Sequence, residues 1–192
     1  MTNVTKLLLL YIFSFLLTSF SFSSIANPVF SPGEDWERVS PPVETGKNGR
    51  GIEVVELFWY GCPHCFAFEP ELNKWVEQQS TRITFLRIPA VFNKNWAIHA
   101  RAYYALEEMG VLADVHIPLF EALHLQGRRL FTEKALTDFV AEHGVQRSVF
   151  REKYNSFSVD TKTRAAIAMT RKYGITGVPA LVINGKYRSS PQ

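Results

Sequence analysis

Cys62 and Cys65 are the only cysteines in this sequence, and they frame the tetrapeptide Cys62-Pro63-His64-Cys65. A Cys-x-x-Cys at a strand-to-helix junction is suited to thiol–disulfide exchange. Ile52 to Tyr60 reads as the strand, and Phe68, Leu72, Trp75 and Val76 recur at helical spacing after the cysteines. Cys62 is expected where the helix begins, so unpaired backbone N–H groups and the helix dipole favour its thiolate. Cys65, one turn inside and facing the core, is expected to be the shielded resolving partner. In the oxidised form a substrate thiolate attacks the Cys62 sulfur and forms a mixed disulfide; a second substrate thiol then releases the reduced enzyme. The competing readings are half of a zinc site or two incidental core cysteines. A full zinc site needs further ligands, and no second Cys-x-x-Cys or His-x-x-x-His occurs, so no metal site is expected. A bridge across so small a loop constrains little of the unfolded chain, so reactivity explains the pair better than stabilisation does.

Three further positions bear on that chemistry. His64, between the cysteines, can stabilise the Cys62 thiolate by hydrogen bond or charge. Each unit by which the thiol pKa falls below ambient pH favours the reduced enzyme by about 1.36 kcal/mol, which makes the disulfide ~30 mV more oxidising. The bland alternative is a surface histidine with no coupling. Glu56 interrupts the apolar strand shortly before Cys62. Flanked by Val55 and Leu57, it is expected to be buried, where a carboxylate is costly unless paired or protonated. There it could relay the proton of Cys65; otherwise it points outward at a strand edge. Val178-Pro179 precedes the last strand run, and an X–Pro bond at such a turn is trans in most cases. His99, His116, His124 and His143 lie singly on predicted helices and lack ligand spacing, so they read as surface or satisfied core residues. Phe58-Trp59-Tyr60, Phe66 and Phe68 read as packing, with the last members of the first cluster able to frame the disulfide.

The elements that position these residues follow from pattern. Ile52 to Tyr60 is nearly continuous in apolar character, as in a strand buried on both faces. Pro63 sits just inside the helix start, where its missing N–H costs nothing, and Pro70 is expected to kink the helix. Arg82 to Ile88 is the next strand, completing a βαβ unit. From Trp96 to Tyr173 only helices are predicted, with Thr132 as one cap and Gly110, Gly144 and Gly174 as stops. Ala180–Ile183, Asn184-Gly185 and Lys186–Arg188 read as a hairpin, and Trp36 to Val39 as a short edge strand. Sheet elements at both ends of the chain with helices between predict one α/β sheet carrying an inserted helical domain.

At the N-terminus, Leu7 to Phe22 is uncharged and nearly all apolar, follows Lys6, and precedes Ser23-Ser24-Ile25-Ala26. That reads as a secretory signal peptide cleaved after Ala26; a retained anchor is less favoured because the run is shorter than the ~20 residues a membrane span needs. Losing residues 1–26 removes one lysine from a formal charge of +3, too mild a balance for a nucleic-acid or membrane-surface role. The expected division is 1–26 signal, 27–92 with 165–192 as the sheet domain, and 93–164 as the helical insertion.

Cys62-Pro63-His64-Cys65 with Phe66, Phe68 and Glu69 resembles the active site of the DsbA family of bacterial thiol oxidases. Ile117-Pro118-Leu119-Phe120-Glu121, Asn155-Ser156-Phe157, Gly177-Val178-Pro179-Ala180 and Asn184-Gly185-Lys186-Tyr187 resemble its other landmarks, in the same order. The resemblance implies a thioredoxin-like fold with a helical insertion and a periplasmic enzyme that introduces disulfides into unfolded or folding exported polypeptides with free thiols. It implies a cis bond at Pro179, substrate hydrogen bonds from the Val178 backbone, and Glu56 as the buried acid. No cofactor beyond the redox-active Cys62–Cys65 disulfide is implied; the partner for reoxidation is a quinone-linked membrane protein resembling DsbB, and the chain is expected to be a monomer. A strongly acidic thiol belongs to the family as such. Family members continue into another long helix after the final hairpin, whereas this sequence stops at Gln192; part of the sheet and of the substrate groove is therefore expected to lie exposed. A reductase or isomerase of the same fold is the nearest alternative, and a cysteine-based metal-binding or chaperone module the more distant one.

Overall fold

The structure, a computed structural model, describes residues 30–46 and 51–190. The expected signal segment lies outside the described residues. Strand β1 (Glu37–Arg38) precedes β2 (Ile52–Phe58), helix α1 (Pro63–Gln78) and β3 (Ile83–Pro89). Five more helices follow: α2 (Lys94–Glu108), α3 (Leu112–His124), α4 (Glu133–Glu142), α5 (Arg147–Tyr154) and α6 (Phe157–Lys172). The chain then returns through β4 (Ala180–Ile183) and β5 (Tyr187–Ser189). The sheet order is β1-β5-β4-β2-β3, with β2 and β3 parallel and the other neighbours antiparallel. This is the thioredoxin-like α/β arrangement with helices inserted between β3 and β4.

The period-two alternation of a strand separates the layers. Val55 and Leu57 face a sheet-side core with Val39, Ala90, Tyr173, Ile175, Ala180 and Val182. Phe58, on the other face, joins the helical core of Leu106, Leu119, Phe120, Leu136, Phe139 and Phe150. Burial of each such phenylalanine contributes roughly 1.5–3 kcal/mol. Helix α6 serves both cores, with Val159 and Ala166 in the helical one and Met169 against the sheet-side one. It therefore runs through the expected division at residues 164 and 165 as one continuous element.

Local chemistry accounts for the boundaries. Asn93, Thr132 and Ser156 accept backbone N–H groups at the starts of α2, α4 and α6, satisfying donors that the helix cannot. Ser156 places the start of α6 at Phe157. Helix α1 continues through Pro70 as a single element. Asn184 and Gly185 both have positive φ, 49° and 62°, as a two-residue hairpin turn matching the strand twist demands. No helix among the described residues is long and apolar enough to cross a membrane.

Candidate active site

The turn from β2 into α1 builds the site. The Cys62 N–H donates to the Trp59 carbonyl at 2.9 Å, which ends β2 at Phe58 and presents Cys62 as the N-cap of α1, with Pro63 inside the first turn. Gly61 is needed here: a Cβ would lie 2.4–2.7 Å from the Trp59 indole. That indole stacks on Trp96 with ring centroids 4.4 Å apart. Trp59 is thus partly exposed beside the cysteines, while Phe58 and Tyr60 are fully buried.

Both cysteines are free thiols. Cys62 keeps 8% of its surface and Cys65 none, so Cys62 is the sulfur that a substrate can reach. The Cys65 N–H donates to Cys62 Sγ at 3.4 Å, and the Cys62 thiol lies 3.4 Å from the Val178 carbonyl. The Cys62 pKa is lowered from 9.0 to about 6, first by the hydrogen bond from the Cys65 thiol, against the opposing effect of burial. The backbone N–H groups of Cys65 and His64 and the charge of His64 add to it, with that charge the smallest of these contributions. The same thiol–thiol bond and burial push Cys65 far up. One sulfur is thereby prepared as thiolate and the other as its protonated donor. His64 itself is exposed, and its backbone acts on Cys62 before its ring does.

The Val178–Pro179 peptide is cis, with Pro179 buried and the Val178 carbonyl turned to Cys62 across 116 residues of sequence. The site is therefore assembled from both ends of the sheet domain.

Behind Cys65, Glu56 is fully buried and receives Arg87 Nε at 2.8 Å, its Oε1 remaining without a partner. Burial pushes its pKa up to about 7 despite Arg87, and Glu69 adds to the rise. The charge of Glu56 in turn disfavours the Cys65 thiolate. Arg87 also bonds Glu69 and Asn73, at 3.0 and 2.6 Å. His116 connects Glu69 (3.2 Å) to the Tyr60 hydroxyl (2.7 Å). His124 bonds the Tyr60 carbonyl and His99 the Leu130 carbonyl, while His143 is exposed against Phe139. Among the described residues no group of three or more His, Cys, Asp or Glu is arranged to hold a metal ion.

Sequence reasoning missed Arg87, Glu69 and His116 as one network. A signal existed for two of them. Arg87 interrupts apolar β3 as Glu56 interrupts β2, and parallel pairing sets them side by side. Glu69 follows Cys65 by four residues, on the same helical face. Nothing in the spacing of His116 marks it.

A thioredoxin-like sheet with an N-capping, thiolate-prone Cys62 and a buried Cys65 defines a thiol:disulfide oxidoreductase. A family model for the DSBA-like thioredoxin domain matches residues 82–191, from β3 onward. The thiol:disulfide interchange protein DsbA of Pseudomonas aeruginosa is 43% identical over 159 residues, covering 83% of this chain and 75% of the relative. That of Pseudomonas syringae pv. tomato is 41% identical over 169 residues, covering 88% and 78%. The crystal structure of Pseudomonas aeruginosa DsbA superimposes with a TM-score of 0.79 at 42% identity, covering 84% of this chain and 83% of that one. The chain belongs to the DsbA family.

Proposed function

We propose that the chain works in the periplasm as a dithiol oxidase, passing the Cys62–Cys65 disulfide to exported polypeptides that carry free thiols. The observation that carries the direction is Cys62 at the N-cap of α1 with its sulfur accepting the Cys65 N–H at 3.4 Å, a setting that lowers its pKa to about 6. At pH 7 that is about one unit below ambient, favouring the reduced enzyme by about 1.4 kcal/mol and making the disulfide ~30 mV more oxidising than one with an ordinary thiol. A substrate thiolate attacks Cys62 Sγ, the S–S bond breaks, and the electron pair leaves on Cys65, which takes a proton from Glu56. A second substrate thiolate attacks the substrate sulfur of the mixed disulfide and expels Cys62 as a stabilised thiolate. The Val178 carbonyl, 3.4 Å from Cys62 Sγ, supports backbone pairing with a substrate held at that sulfur. Pro63 starts α1 without an orphan N–H and so holds Cys62 at the cap.

The apolar segment Leu7–Phe22 supports export. Turnover then requires a membrane reoxidase of the DsbB kind, coupled to quinone, and no cofactor besides the cysteine pair; the working unit is a monomer. The equilibrium constant with glutathione tests the direction of the reaction. The oxidase reading predicts a potential well above that of cytosolic reductants such as thioredoxin, whose E°′ is about −270 mV. A value near that of thioredoxin identifies a reductase instead.

A further inference from the structure

Two buried carboxylates share one guanidinium, and their surroundings are unequal. Glu69 accepts from Arg87 at 3.0 Å, from Asn73 Nδ2 at 2.9 Å and meets His116 Nε2 at 3.2 Å. Among the described residues Glu56 accepts from Arg87 Nε alone, and its Oε1 has no partner. A carboxylate with several donors holds its charge and one with few gives it up when buried. The Tyr60 hydroxyl lies 2.7 Å from His116 Nδ1 and can donate to it or accept from it; an ionised Glu69 can only accept, which requires Nε2–H on His116 and sets Tyr60 O–H as the donor to Nδ1.

We propose that His116 is a positioning residue: by giving Nε2–H to Glu69 it keeps that carboxylate ionised against Arg87, so that the proton exchanged with Cys65 resides on Glu56. This rests on Glu56 as the proton partner of Cys65 and adds how that choice is made. The polar groups facing His116 are Tyr60 from the β2–α1 turn, Glu69 from α1, Tyr103 from α2 and Arg87 from β3. Those facing Glu56 are Arg87, Glu69, Cys65, Tyr60 and Tyr103. The directions agree with the geometry: although burial pushes it up, Glu69 is held below its ordinary value with the His116 hydrogen bond the largest favourable cause, and burial lowers His116 against the opposing effect of Glu69. A cleft of about 600 Å³ is lined by Arg87, His116 and Asn73, whereas neither Glu56 nor Glu69 lines it, so water reaches the network at its donors and not at its carboxylates.

The test is nuclear magnetic resonance on the full chain, with the carboxyl carbons of Glu56 and Glu69 and the ring nitrogens of His116 followed against pH. The expected result is an Nε2–H tautomer for His116, with Glu56 titrating near 7 and Glu69 ionised to well below its ordinary range. In His116→Phe the Glu69 titration rises by about one unit, and the pH profile of mixed-disulfide resolution by Cys65 gains a second acid-side step. His116→Gln, which can still donate to Glu69, restores both. A Glu69 titration unmoved in His116→Phe overturns the proposal. If that variant does not fold, the wild-type tautomer decides: Nδ1–H, which leaves Nε2 unable to donate, overturns it equally. Failure of the proton-relay reading shows separately, as a Glu56→Gln variant with unaltered Cys65 kinetics.

Discussion

At the scale of single residues, the site works through unequal treatment of like groups. Cys62 and Cys65 share one hydrogen bond that lowers the first and raises the second, and Glu56 and Glu69 divide one arginine. His64 makes the smallest of the favourable contributions to the Cys62 thiolate through its charge, after its own backbone N–H. His64→Ala, which keeps the backbone N–H, should therefore raise the Cys62 midpoint by less than about one unit and lower the oxidising power by less than about 30 mV at pH 8, measurable by thiol titration and redox equilibrium. Glu56 has a stability consequence of definite sign. Between 4.5, its ordinary value, and about 7 the folded protein holds a proton that the unfolded chain has released. Stability then falls as pH rises through that window and levels off above it, by up to roughly 3 kcal/mol for a shift of this size. Denaturation of the oxidised form, in which Cys62 cannot titrate, should show this slope, and Glu56→Gln should abolish it.

At the scale of elements, the β2–α1 turn carries the most constraint. Trp59, Gly61 and Cys62 are interlocked by the Trp59 carbonyl and the indole that covers Gly61. Gly61→Ala should displace the indole from its stack on Trp96, destabilise by roughly 1–3 kcal/mol as overpacking does, and slow exchange at Cys62. A denaturant midpoint lowered with unchanged slope would record the first effect. The elements themselves were legible: β2, α1, β3, the capped helices and the Asn184-Gly185 hairpin each follow from local pattern. Their ends were less so, because caps such as Ser156 lie outside the apolar periodicity. The indole over Gly61 was not legible at all, since Trp96 meets it only through tertiary packing.

At the scale of the molecule, the sheet brings the Cys62 turn and the Val178–Pro179 turn together by pairing β2 with β4. The cysteines, Glu56 and Pro179 could be picked out in the sequence because each breaks a local pattern or carries a motif. Arg87, Glu69 and His116 could not be joined there, because their link requires β3, α1 and α3 to converge on one buried point. The family membership and the geometry of the cysteine pair agree on thiol–disulfide exchange, for which the fold prepares Cys62 as a thiolate at working pH. Titration of the Cys62 thiol in the reduced protein, by thiolate absorbance or alkylation rate against pH, tests it most directly. A midpoint of about 6 is expected; a midpoint at or above the unperturbed thiol value of about 8.5 would overturn the assignment of Cys62 as a stabilised thiolate.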